Sequence, residues 1–370
     1  MKVSATGGST ARGGEDLPER LLDRPAPEGV RWLALARLQD LIASRQRLDD
    51  PDDAKALHDF HVALRRFRSL VRTYREMLDD SVTRKSRRRL GRLATAAGAS
   101  RDSEVRLKWL RKHVKIGPAN AAGIAWVEDE LDRDRIKGNR RMQRAVDRNF
   151  APLVDQLQRT LQQFRTTTTL GEVAVVSPTR NVTAHALDTL AIAVEETLEQ
   201  AHAASDPDLM HRVRITAKRL RYALAPLVDE KLATTHIRQT AGAAIDQLKR
   251  MQDALGELHD ELAFDQWLKE RIAQSSRPGT RNGATVEGTP EHLGKTGGPA
   301  MRRAQMAFVE RLRGRLHRQA ERRYRALGSP PWRRRIDRLI RRAHTVADRL
   351  RRKKSATDSG AQIGSSAVTP

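Results

Sequence analysis

From Val30 onward the apolar residues recur at steps of three and four, the spacing that gathers them on one face of an α-helix. Helices are predicted over residues 30–48, 53–79, 81–97, 101–115, 119–148 and 150–165. A second block is predicted over 183–204, 208–229, 234–256, 258–273, 299–326 and 331–352. No strand–helix alternation and no Gly-rich phosphate loop occur, which argues against a nucleotide-binding sheet. The fold class expected is therefore all-α, with a first helical bundle at 30–165 and a second at 183–352. Between them, 166–182 breaks the period with a Thr run, Gly171 and Pro178 and is expected to be a linker, although its VAVV also fits a short strand. Residues 1–29, 275–299 and 353–370 are expected to be a disordered arm, insertion and tail, by their Gly, Ser, Thr and Pro content.

Two segments match across the blocks. HDFHVALRRFRSLVRTY from His58 aligns with HRVRITAKRLRYALAPL from His211. His58 then meets His211, His61 meets Arg214, Arg65 meets Lys218, Arg66 meets Arg219 and Arg68 meets Arg221. Downstream, AAGASRDSEV at 96–105 aligns with ALGELHDELA at 254–263, so that Gly98 meets Gly256 and Asp102 meets Asp260. Recurrence in the same order implies an internal duplication. At about 100° per residue, His58, His61, Arg65, Arg68, Arg72 and Arg75 fall in one sector of about 100°, beside a core sector of Phe60, Ala63, Leu64, Phe67, Leu70, Val71 and Tyr74. In the second segment His211, Arg214, Lys218 and Arg221 form the stripe. Solvated helix faces usually mix charge signs, because like charges at four-residue steps repel by a few tenths of a kcal/mol. Two nearly acid-free stripes in the same pattern point instead to an anionic ligand.

Charge strengthens that reading. The 370 residues carry 70 Lys and Arg against 46 Asp and Glu, a formal net charge of +24. Such a surplus repels itself on compaction and calls for a polyanion: nucleic acid, anionic lipid or a phosphate polymer. Arg offers a planar fork of donors that grips two phosphate oxygens. Lys85, Arg88, Arg89 and Arg92 share one further basic face, and Arg101, the match of His259, and Lys249 complete the candidate binding residues. Histidines in the stripes predict tighter binding as pH falls through their titration range. Asp102 and Asp260 are expected to cap the helices that follow them or, as the alternative, to orient a neighbouring Arg. There is no cysteine, which excludes disulfides and thiolate metal sites. No apolar run is long enough to span a bilayer, and Met1 to Arg20 lacks the apolar stretch of a secretory signal, so a cytoplasmic location is expected.

The doubled H-x-x-[R/H]-x-x-x-[R/K]-R-x-R pattern, each followed by G-x-x-[R/H]-D, resembles the CHAD family, the conserved histidine α-helical domain; KRLRY at 218–222 and QDALGELHDE at 252–261 are especially similar to its second half. The resemblance spans about residues 30–352. It implies two pseudo-symmetric helical bundles, related by a pseudo-twofold axis, around a shared central basic cavity that binds inorganic polyphosphate, and association with polyphosphate granules. By residue match it implies binding at His58, Arg65, Arg66, Arg68, His211, Arg214, Lys218, Arg219 and Arg221. His61 stands where the family pattern has Arg, which implies weaker or more pH-dependent binding in the first half. The acidic motif of the triphosphate-tunnel catalytic domains fused to some members is absent, so a free-standing binder without cofactor, metal or catalytic residue is expected.

Rival readings differ in class. The dipeptides His58-Asp59 and His259-Asp260 superficially suggest a metal phosphohydrolase, but neighbouring helix residues point about 100° apart, and dense positive charge repels a divalent cation. A nucleic-acid binder would use the Arg-rich C-terminal helices (RRRIDRLIRR, DRLRRKK) for sequence-independent backbone contact, with 4% aromatics leaving little for base stacking. A membrane-surface role is disfavoured, because Ile336, Leu339, Ile340, Ala343, Val346, Ala347 and Leu350 suit a core face rather than a lipid face.

Overall fold

The computed structural model describes residues 17–50, 52–53, 55–163, 177–204, 206–229, 232–275 and 299–352. The predicted insertion and tail, the start of the arm and the centre of the linker with its VAVV lie outside the described residues. Among the described residues ten α-helices follow in order: α1 (Ala26–Gln46), α2 (Ala56–Thr73), α3 (Arg75–Leu78), α4 (Arg84–His113), α5 (Pro118–Gln162), α6 (Thr179–Ala203), α7 (Pro207–Asp229), α8 (Thr235–Ser275), α9 (Pro299–Leu327) and α10 (Pro330–Arg352). Two short 3-10 helices flank α1, and no strand occurs among the described residues.

Several boundaries differ from the periodic reading. The arm expected to run to residue 29 ends earlier: Leu21 and Leu22 are buried in a 3-10 helix, and α1 starts at Ala26, with Pro25 at its cap and Pro27 in its first turn. Gly98 and Gly256 do not interrupt their helices. α4 runs for 30 residues and α8 for 41, so Asp102 and Asp260 sit mid-helix and cap nothing. Pro152 likewise lies inside the 45-residue α5. A helix-interior proline costs about 3 kcal/mol. Phe150, Leu153, Val154, Leu157 and Leu161 are all buried around it, and burying that many large side chains outweighs the local penalty. α4 does start at a cap, with Thr83 accepting from the Ser86 amide at 3.2 Å, and it ends on Arg111, Lys112 and His113, which suit the negative end of the helix dipole.

Three apolar cores hold the helices. One is built from α1 to α5, around Phe60, Leu64, Phe67, Leu90, Val146 and Leu157. A second is built from α6, α7, α8, α10 and the end of α9, around Leu187, Leu220, Leu248, Ile340 and Val346. Adjacent Leu21 and Leu22 enter different cores, so the N-terminal turn pins the two together. The third core joins the far ends of the long helices: Trp109, Leu110, Val127 and Leu131 from α4 and α5 meet Phe264, Trp267, Leu312 and Leu316 from α8 and α9. Polar ties cross there as well, with Asp134 accepting from Trp267 Nε1 at 2.9 Å and pairing with Arg271. At the opposite end the Thr179 amide donates to the Arg24 carbonyl at 2.8 Å, fixing α6 against the start of α1.

A cationic seam between α2 and α7

α2 and α7 each spend their apolar face on a separate core: Phe60, Leu64, Phe67 and Val71 on the first, Val213, Ala217, Leu220 and Leu224 on the second. What remains for the contact between the two helices is polar, and they pack against each other there. The basic stripes therefore meet. Arg65 comes within electrostatic reach of Arg214 and Lys218, and Arg72 of Arg219. Like charges are thus concentrated in a place where water is partly excluded, which disfavours the charged forms. Burial, then Arg214, Arg65 and Arg221, pull the Lys218 amine from 10.5 down to about 7, with Asp260 opposing. Burial also lowers the Arg68, Arg214 and Arg219 guanidinium groups from their ordinary value. The Nε atoms of Arg66, Arg214 and Arg219 are buried without a hydrogen-bond partner. An unmet buried donor costs about 1–3 kcal/mol. A phosphate oxygen would satisfy donor and charge together.

Beside the seam, Arg68 of α2 joins Arg88 and Arg92 of α4 and Arg141 of α5 around a groove of about 620 Å³, floored by Gly91, Thr95 and Ala96. Small residues on α4 leave the room that the guanidinium groups surround, and no carboxylate lines it. In the second half His211 and His259 meet with ring planes tilted by 36°, centroids 4.3 Å apart and Nδ1 atoms at 3.2 Å, one ring donating to the other. They edge a small cavity of about 200 Å³ otherwise lined mainly by Met210, Leu255, Leu258 and Leu262. Burial, then Arg214 and His211, hold the His259 ring down at about 4.

The remaining candidates are distributed unevenly. His61 lies in the middle of the sequence stripe but is buried, its Nε2 bonded to the Ala97 carbonyl of α4. Burial lowers its pKa first of all, so it is a packing histidine between α2 and α4 rather than a free cation. The sequence marks that face as polar and does not reveal that α4 covers part of it. His58 is exposed, and its neighbour Asp59 accepts from Arg47 at 2.6 Å. Arg72, Arg75 and Lys85 are exposed and Arg89 is half-buried; Arg75 pairs with Asp79 at 3.7 Å. Arg101 pairs with Glu104 at 2.8 Å. Arg221 donates to the Tyr222 hydroxyl at 3.3 Å and lies over that ring. Lys249 is exposed on α8 and paired with Asp246 at 3.1 Å. Of the stripe histidines His61 is held below the ordinary range, as is His259 beside His211, and Lys218 is the seam group poised near neutrality.

Two basic residues near the site escaped the sequence reading. Arg141 has no match in the repeat; its signal was only a run of arginines on one side of α5. Arg106 lies half-buried over the Trp267 ring at 5.8 Å, facing Asp102, Asp134 and Asp260. Among the described residues no group of three or more His, Asp or Glu side chains converges to hold a metal ion. None of the described helices is long and apolar enough to cross a membrane.

The fold has known counterparts. The CHAD domain from the plant Ricinus communis superposes with a TM-score of 0.55 at 17% identity, covering 84% of this chain and 97% of that one. PptA from Streptomyces chartreusis gives 0.52 at 15% identity, covering 82% and 99%. At those identities the likeness is one of fold. No curated protein sequence matches the chain. The CHAD domain family model matches residues 33–269, a stretch that contains both basic helices, α4 and nearly all of α8. By that match the chain belongs to the CHAD domain family.

Proposed function

We propose that this protein is a non-catalytic binder of inorganic polyphosphate, which it holds along the α2–α7 seam. The observation that carries the reading is the set of buried, unpartnered donors on Arg66, Arg214 and Arg219, together with a lysine pushed to about 7 by its cationic neighbours. A single phosphate would meet one such donor. A polymer of phosphates meets several and neutralises the neighbouring charges at the same time. Family membership agrees, since polyphosphate binding is the property known for CHAD domains.

In this reading the two bundles descend from one duplicated unit, and the seam with its adjoining Arg68 groove forms a shared basic cavity. His61 and Arg214, aligned in the repeat, both turn toward the long helix of their own half. His61 reaches the Ala97 carbonyl of α4, and Arg214 passes 3.8 Å from where a Cβ on Gly256 of α8 would stand. Trp109 and Trp267 both enter the third core. Polyphosphate granules are the cellular location that follows from this ligand.

Calorimetric titration with long-chain polyphosphate, tripolyphosphate and duplex DNA at physiological salt tests the proposal. A strong preference for the long polymer is expected, abolished by Arg65→Glu, Lys218→Glu and Arg221→Glu together while helicity persists. Equal affinity for all three ligands, or unchanged affinity in the triple variant, would overturn it.

A further inference from the structure

The family match ends at residue 269, and α9 and α10 lie beyond it. Apart from Arg302 and Arg303 near its start, the arginines of α9 divide into two groups. Arg313 and Arg323 face α8 and are held by its carboxylates: Arg313 Nε donates to Asp265 at 2.9 Å and Arg323 Nε to Glu261 at 2.8 Å. These hold α9 in place. Arg311, Arg315, Arg318, Arg322 and Arg325 follow one another at alternating steps of four and three residues, and all are exposed. At about 100° per residue they share a sector of about 80°, and at 1.5 Å rise they span about 21 Å. No carboxylate falls in that sector, and Ala304 and Ala307, which extend it toward the start of the helix, are small. Arg318 and Arg322 have no carboxylate partner among the described residues. Arg311 and Arg315 reach only neutral oxygens, of Asn120 and of the His113 backbone, and Arg325 lies 3.7 Å from Glu321 at the stripe's margin.

From this geometry we propose that α9 presents a second, outward polyanion surface, which takes the phosphate backbone of duplex nucleic acid without regard to sequence. The stripe is straight, convex and solvated, whereas the seam lies between two packed helices. A thin single polymer fits a seam, but a duplex is far too thick to enter one; on an exposed helix a duplex can lie along the row. Duplex DNA carries one charge per about 1.7 Å of axis, enough to engage every arginine of the row. A lipid surface fits poorly, because Phe308, Val309, Leu312, Leu316 and Leu327 of the helix's apolar face are all buried and only Met301, ahead of the row, is an exposed large apolar side chain on α9. Base readout is not provided for, since no aromatic or amide side chain stands in the row.

The test uses the full chain, a labelled mixed-sequence DNA duplex, and long-chain polyphosphate as competitor. Replacing Arg311, Arg318 and Arg322 by Ala together should lower duplex affinity at least about tenfold and flatten the dependence of log affinity on log salt by about three. Thermal melting checks that the fold survives, and Arg318→Lys with Arg322→Lys should retain most duplex binding, because charge rather than fork geometry carries it. Polyphosphate affinity should stay within about twofold, as expected of distant sites, and wild-type protein saturated with polyphosphate should still hold the duplex in a ternary complex. Duplex binding that survives the Ala variant, or is fully displaced by polyphosphate and lost on Lys218→Met with Arg221→Met, would place the duplex in the seam and overturn the proposal. Binding to phosphatidylserine vesicles through the α9 row, with none to the duplex, would overturn it equally.

Discussion

An amine held at about 7 between Arg214, Arg65 and Arg221 is carried by the ligand-free fold at a cost, because folding takes it from an ordinary 10.5 to a place that disfavours its proton. That cost is complete below pH 7, where the amine is charged in both states, shrinks as pH rises, and is gone above 10.5. Lys218→Met should therefore raise the melting temperature of free protein at pH 6, with a smaller gain at pH 9, while weakening polyphosphate binding; melts at both pH values and a titration check it. A bound polyanion favours the charged amine, so binding takes up a proton above about pH 7. Affinity of the wild type should rise as pH falls from about 10 toward 7 and level off below, and the slope should vanish in Lys218→Met. Calorimetry in buffers of different ionisation enthalpy reads the proton directly. His61 is expected to behave in the opposite way. His61→Ala removes the bond to the Ala97 carbonyl and should cost about 1–3 kcal/mol of stability, with little change in affinity. A loss of affinity larger than the loss of stability would restore His61 to the binding row.

Two glycines show what decides an element here. A Cβ on Gly123 of α5 would stand 2.4 Å from the ring of Phe308 of α9, a side chain only 4% exposed. Gly123→Ala should force the two helices apart and destabilise by about 1–3 kcal/mol. At Gly98, in the middle of α4, a Cβ would meet nothing within 4 Å. Gly98→Ala should then stabilise by up to about 1 kcal/mol, through helix propensity alone. Thermal denaturation of the two variants gives shifts of opposite sign if packing governs the first and propensity the second. The same contrast explains how far the sequence could be read. Three- and four-residue spacing locates nearly every helix, because an amphipathic face is a local property. Breaks placed near Gly98, Pro152 and Gly256 were wrong, because those residues weaken a helix locally while the cores on either side keep it continuous. The two basic stripes were legible as charge patterns. That they face each other was not, nor that α4 covers His61, because which polar face a neighbour covers depends on contacts far apart in the chain.

For the whole molecule, a net charge of +24 sets the free and bound states against each other. Without ligand the seam, the Arg68 groove and the α9 row all repel, and the third core with its ion pairs clamps the far ends of the bundles together. Salt should relieve that repulsion. Raising ionic strength from about 0.05 to 1 M shortens the screening length from above 10 Å to about 3 Å, so the melting temperature of free protein should climb. With polyphosphate bound, the same salt weakens the ion contacts that hold the ligand, and the stabilisation due to binding, which grows with ligand concentration over its dissociation constant, falls away. The two melting curves should therefore approach each other from opposite sides as salt increases. In the Arg65→Glu, Lys218→Glu, Arg221→Glu protein the ligand should produce no gap at any salt, and the free protein should respond to salt less steeply, because part of the repulsion has been removed. A gap that persists undiminished at high salt would mean that the polymer is held by contacts other than charge, and the cationic seam would then not be its site.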